Sequence, residues 1–143
     1  MKKINASKNF KPCEIEDNDE YFPNGIFVFN ITKMISYIEE NKTAIPLENI
    51  NVEDYHDKKF SSEEEDYINS ADLNRPAILA EISPGKYNMI DGYHRIEKAH
   101  RAGIKTMKAY KLTADHHVQF LTTKKGYLAF VEYWNGKVDD LMG

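Results

Sequence analysis

The stretch that most constrains this chain is Ser83-Pro84-Gly85-Lys86, set between the apolar runs "RPAILAEI" (75–82) and "KYNMI" (86–90). Pro followed by Gly at the centre of four residues specifies a type II turn, because Pro presets φ and Gly supplies the positive φ that follows. The two runs therefore read as the strands of a hairpin. Residues 93–102 then change period: Ile96, Ala99 and Tyr93 recur at helical spacing, and Gly103 supplies a C′ stop. "KTMKAYKL" (105–112) returns to alternation through Met107, Ala109 and Tyr110/Leu112. Strand, helix and strand across 86–112 predict a right-handed crossover between parallel strands.

The flanks are less regular. Residues 1–20 are polar, end in "EIEDNDE" and read as a loosely ordered arm ahead of a single domain over 21–143. "NGIFVFN" (24–30) is a strand after an Asn-Gly turn signal, and Thr32 is placed to cap a helix over 33–41 with Met34, Ile35 and Ile38 on one face. Pro46 limits "AIPLENI" to an edge strand or a connection. "EDYHDKKF" (53–60) reads as loop. Ser62 with Glu65 forms a capping box, and the acidic run Glu63 to Asp66 suits the positive end of a helix better than a metal. Thr113 is placed to cap a short helix from Ala114 to about Leu121, and Thr122 or Thr123 to start another. In that last helix Tyr127, Leu128, Val131 and Trp134 form an apolar stripe. The stripe is a core face, or alternatively the surface of a homodimer. The fold expected is α+β: a small mixed sheet with a β-hairpin and a β-α-β unit, plus a C-terminal helical extension over 113–143.

Bulk properties exclude some roles. A net charge of −4 over 143 residues argues against a surface built wholly to grip nucleic acid. The single cysteine, Cys13, excludes an intramolecular disulfide and points to a reducing cytoplasm. No apolar run reaches membrane-spanning length, and the start "MKKINASKNFKP" lacks the apolar core of a signal peptide.

The chemistry concentrates in "DGYHR" (91–95). Asp-Gly is a hairpin pair elsewhere, but here a helical pattern follows, so the pair sits at a strand-to-helix junction. Either Asp91 or Gly92 is the N-cap. On the bland reading Asp91 caps, Gly92 bends the chain, and His94 and Arg95 are solvated. On the functional reading the first helical turn offers backbone N–H groups to an anion. Gly92 then allows close approach, Arg95 and His94 add donors, and Asp91 orients a hydroxyl, a water or a metal ion. Lys98, Arg101, Lys105 and Lys108 form a modest basic cluster nearby, a solvated face or an aid to phosphate or DNA binding. The adjacent pair His116-His117 reads as surface polar residues. His100 is expected on another side of the helix from His94, and His56 in a loop with Asp54 and Asp57; no metal site is assigned.

"KYNMIDGYHRIEKAHRAGIKTMKAYKL" resembles the core of the ParB/sulfiredoxin superfamily, in particular the branch of ParB-like nuclease domains with a DG-x-HR signature. The likeness covers about residues 75–112, with 44–60 matching an early "IPL…I" segment. It implies a small mixed α/β fold and a nucleotide's phosphates at the helix N-terminus, held by Gly92, Tyr93, His94 and Arg95. It also implies a catalytic role for Asp91, as in kinase-like branches, and for an upstream acid, to which Glu81 is nearest. Tyr93 stands where sulfiredoxins carry cysteine, so sulfinic-acid reduction is not expected. No helix-turn-helix follows, so partition of DNA is not expected either. What remains is a phosphate- or nucleotide-binding protein, with magnesium if a triphosphate binds and phosphoryl-transfer or hydrolytic (nuclease-like) activity if it is an enzyme. The alternative is a non-enzymatic, DNA-associated or regulatory module.

Overall fold

The apolar run 77–83 is buried on both sides, and the rest of the molecule is arranged around it. In the computed structural model, which describes residues 2–56 and 59–143, this run is β4 (Ala77–Ser83). It turns at Gly85, where φ is +76°, into β5 (Lys86–Asp91). A four-stranded sheet in the order β3-β6-β4-β5 is completed by β3 (Leu47–Asn51) at the edge and β6 (Thr106–Leu112). Alternate side chains of β4 enter two different cores, as the strand period requires. Ile78, Ala80 and Ile82 face α1 (Ile31–Glu40) and α6 (Lys124–Met142), while Ala77 and Leu79 face Ile96 and Ala99 of α4 (Tyr93–Arg101). The molecule is thus α+β, with helices on both faces of a mixed sheet. A second hairpin, β1 (Tyr21–Asn24) and β2 (Phe27–Asn30), leads into α1.

The connection through α4 differs from the crossover expected between parallel neighbours. β6 does lie parallel to a strand, but that strand is β4; β5 runs antiparallel to β4 on its far side. The Pro-Gly turn fixes the direction of β5. The doubly apolar β4 takes the centre, so β6 docks against it instead. The helix ends as its sequence specifies. Gly103, at φ +72°, donates to the His100 carbonyl (3.1 Å) while Ile104 donates to that of Ala99 (2.9 Å), the two bonds of a Schellman cap.

Several local expectations shift by a residue or two. Asn30, not Thr32, caps α1: its Oδ1 accepts from Lys33 N–H at 3.0 Å, while Thr32 Oγ1 accepts from Glu20 N–H at 2.7 Å. Ser61 with Glu64, not Ser62 with Glu65, forms the capping box ahead of α3 (Glu65–Ser70). Residues 53–55, expected in a loop, belong to a single turn, α2 (Val52–Tyr55). His117, expected at the surface, is fully buried in α5 (Ala114–His117). Thr123 caps α6 through Gly126 N–H at 2.9 Å. The stripe of α6 is the chain's own core, completed by Phe130 and Val138, while Leu128 points outward.

The arm is tied down rather than loose. Phe10 stacks on Tyr127 with ring centroids 3.8 Å apart, and Ser7 N–H donates to the Tyr127 hydroxyl at 2.9 Å. Ile4 exchanges two hydrogen bonds with the Asn135 side chain, and Trp134 Nε1–H donates to the Lys2 carbonyl at 2.8 Å. Asn30 joins arm to helix, because its Nδ2 also donates to Asp19 Oδ2 (2.9 Å) and the Glu14 carbonyl (3.2 Å). Asn30 is itself fully buried, and Asn30→Ala removes the cap together with both hydrogen bonds to the arm. A loss of about 2 kcal/mol is expected in urea unfolding, and an unchanged midpoint would remove Asn30 as the arm's anchor. Among the described residues no helix is long and apolar enough to cross a membrane.

Candidate functional site

The strand-to-helix junction is built on one close approach. Asp91 ends β5 opposite Ile78, and Gly92 turns the chain into α4 with φ +120° and ψ 11°. A Cβ on Gly92 would sit 2.7 Å from Ala77 Cβ and 3.2 Å from Arg95 Nη2. Only glycine meets both the conformation and the space. Gly92, not Asp91, is the N-cap, and it offers no side-chain oxygen to the first turn. The helical ladder starts with Ile96 N–H on the Gly92 carbonyl at 2.9 Å. The His94 and Arg95 amides precede it and have no intrahelical acceptor.

Asp91 turns to arginine instead. Its Oδ2 accepts from Arg95 Nη2 at 3.0 Å and from Arg75 Nη2 at 3.5 Å. The Arg95 side chain is 9 % exposed. Its Nη2 also reaches the Pro76 carbonyl at 3.5 Å, but its Nε–H is buried with no acceptor. An unpaired buried guanidinium donor costs free energy. His94 lies between Tyr67 and Phe60, with ring centroids at 5.8 and 5.4 Å, and its Nε2 is 3.3 Å from Glu64 Oε1. Tyr93 stacks on Phe22 at 5.9 Å and donates its hydroxyl hydrogen to the Met89 carbonyl at 2.7 Å.

These residues line a cleft of about 390 Å³, with Glu20, Tyr21 and Phe22 from the first hairpin and Glu64 and Tyr67 around α3 as its other walls. Across the Phe22–Tyr93 stack lies a second hollow of about 330 Å³, walled by Tyr55, Tyr87 and Asn88 among others. The first cleft is acidic overall. Glu20, Glu64 and Asp91 face it, and Asp91 offsets much of the Arg95 charge. A bare phosphate would meet net repulsion there, whereas a phosphate carrying a divalent cation would not.

Not all of the expected residues gather here. Glu81 pairs opposite Tyr87, three residues along β4 from the Ile78–Asp91 pair and so about 10 Å away along the strand. Its carboxylate instead accepts from Gly85 N–H (2.9 Å) and Ala114 N–H (3.3 Å), bracing a turn and a helix start. The basic cluster is also partly used up. Lys98 donates to the Asn69 and Ala71 carbonyls at the end of α3, and Arg101 holds Glu65 through both terminal nitrogens (2.6 and 3.0 Å). Lys105 and Lys108 remain exposed.

Sequence reasoning missed one constellation. Glu53, His56 and His100 come together with ligand atoms all within 4.8 Å of one another. The signal present was Glu-x-x-His at 53–56, a spacing that puts both side chains on one helical face. Its third member is supplied by α4, which no local pattern reveals. Asp57, read beside His56, lies outside the described residues. The His100 hydrogen bond holds the Glu53 carboxyl below its ordinary range. Burial works to raise Glu97 beside them, but hydrogen bonds from Arg101 and His56 outweigh it and hold that carboxyl low as well.

No protein-family model matches the chain, nor does any curated protein or solved structure, so the reading of this cleft rests on its own residues and geometry.

Proposed function

We propose that the cleft at the N-terminus of α4 binds the phosphates of a nucleotide together with magnesium. The observation that carries this reading is the buried Nε–H of Arg95, a donor without an acceptor beside a glycine-capped helix N-terminus. The arrangement allots the parts. His94 and Arg95 amides, with the Arg95 side chain, face phosphate oxygens. Glu20, Glu64 and Asp91 supply hard oxygen ligands of the kind magnesium takes alongside phosphates. The exposed rings of Tyr21 and Tyr67 at the rim offer faces on which a base can stack. The cleft's size is in the range of small-molecule sites. The likeness of residues 75–112 to the ParB/sulfiredoxin core supports the same site. In an enzyme of this design Asp91 would orient the attacking hydroxyl or water, giving phosphoryl transfer or hydrolysis. The DNA-associated alternative has less to stand on, since Lys98 and Arg101 are already engaged within the chain.

Thermal melts with ATP, CTP, GTP and their diphosphates, with and without magnesium, test the reading. A ligand at one hundred times its Kd adds about 2.7 kcal/mol, or roughly 5–10 °C for a domain of this size. The shift is expected only with magnesium. It should vanish in Arg95→Ala and Asp91→Asn while the apo variants stay folded. No shift with any nucleotide sinks the proposal, and salt-dependent retention on DNA in that case turns the assignment to the DNA-associated module.

A further inference from the structure

We propose that Glu53, His56 and His100 form a binding site for one divalent transition-metal ion of the zinc type. The site is separate from the nucleotide cleft, at the opposite end of α4, and does not depend on that reading. Two imidazoles and a carboxylate are a donor set that suits zinc, whereas magnesium and calcium prefer oxygen alone. Three protein ligands leave a fourth position for water or a small anion. The hollow of about 690 Å³ beside His56 and His100 leaves that position accessible.

The second observation is how the imidazoles are held. Each uses one ring nitrogen on a carboxylate: His56 Nε2 on Glu97 Oε1 at 2.6 Å, and His100 Nδ1 on Glu53 Oε1 at 2.7 Å. Glu97 thereby fixes the His56 tautomer and leaves Nδ1 of that ring for a metal, the arrangement in which carboxylates orient metal-binding histidines, while Glu53 Oε1 and His100 Nδ1, already side by side, are the pair that meets the ion together. Glu97 is itself fixed, being 9 % exposed and bound by Arg101 Nε–H at 2.7 Å. The rings of His56 and His100 lie nearly parallel, 12° apart in plane and 3.6 Å between centroids. A tetrahedral zinc site separates its donor atoms by about 3.3 Å, so the set must close by roughly 1.5 Å from its widest spacing, and the rings must tilt toward each other. Glu53 and His100, with side chains 62 % and 39 % exposed, have the freedom to do so.

The test uses the full chain stripped of metal with a chelator and dialysed. Zinc chloride is titrated by calorimetry, and cobalt chloride by the visible absorption of a tetrahedral site. One equivalent of each is expected, with zinc bound far more tightly than magnesium chloride. His56→Gln and His100→Gln should each weaken zinc binding by about tenfold or more, while His116→Gln leaves it unchanged. His100→Gln, at an exposed position, keeps the test valid if His56→Gln unfolds, and circular dichroism reports which variants fold. Zinc binding that survives both substitutions, a Kd for zinc weaker than millimolar, or tighter binding of magnesium overturns the site and leaves the cluster as a network joining α2 to α4.

Discussion

Replacing Gly92 by alanine is expected to destabilise the fold by about 3 kcal/mol and to abolish the nucleotide binding proposed for the cleft. Two costs add. At φ +120° an L-residue is strained by about 1–2 kcal/mol. The new methyl also meets Ala77 Cβ at 2.7 Å and Ala77 Cα at 3.2 Å, in the packed centre of the sheet, where overpacking typically costs about 1–3 kcal/mol. Arg95 Nη2, 3.2 Å from the same methyl, has to move, and the Asp91–Arg95 pair moves with it. Gly103→Ala is the control: its φ of +72° carries strain, but nothing lies within 4 Å of an added Cβ. That variant should lose only about 1 kcal/mol. Urea midpoints compare the two, and Ala77→Gly added to Gly92→Ala should recover part of the difference. Equal losses in Gly92→Ala and Gly103→Ala would mean that backbone strain alone matters and that β4 does not press on the junction.

How much of this was legible follows from how local each requirement is. The Pro84-Gly85 turn and the Gly103 stop are written in the chain because each needs a positive φ that glycine supplies. Gly92 was legible in the same way, as a junction, although its contact with Ala77 fifteen positions earlier was not. Choices between neighbouring candidates were decided by distant partners. Asn30 and Thr32 can both cap a helix, and the contacts with Asp19 and Glu20 assigned them. The adjacent serines 61 and 62 face a run of acids that fits a capping box in either frame. Beside the Phe10–Tyr127 stack, the arm's hydrogen bonds run from backbone groups to Tyr127, Trp134 and Asn135, and no hydrophobic period announces them. Glu81 looked catalytic because an acid near the signature suits the resemblance. Strand register put its carboxylate at the wrong end of the sheet. The histidine cluster needed α2 and α4 together, so only its Glu-x-x-His half was visible.

His117 shows the same blindness with the larger consequence, and it predicts a sharp loss of stability in mild acid. In "ADHH" nothing distinguishes the two histidines, yet packing buries His117 completely, edge-on to Phe29 (5.2 Å) and Phe130 (5.1 Å). A carbonyl only accepts, so His117 Nε2–H donates to that of Glu81 at 2.6 Å; Nδ1 is left buried without a partner. Burial pushes the imidazolium pKa down to about 4 from an ordinary 6.5. Between those values the unfolded chain takes up a proton that the folded chain refuses. The stability tied to neutral His117 is therefore fully present above pH 6.5 and is lost progressively as pH falls toward 4. A difference of about 2.5 units corresponds to about 3 kcal/mol, a large share of what a domain this size has. Glutamine at position 117 keeps a donor for the Glu81 carbonyl but does not titrate. His117→Gln is expected to be less stable than the parent at pH 7, with the gap closing or reversing by pH 4. Carboxylates held below their ordinary range, such as Asp19, Glu53 and Glu97, lose their own stabilising contribution further into acid, and being present in both proteins they cancel in the comparison. Two stability curves that stay parallel from pH 7 to pH 4 would show that the buried imidazole is not what acid attacks.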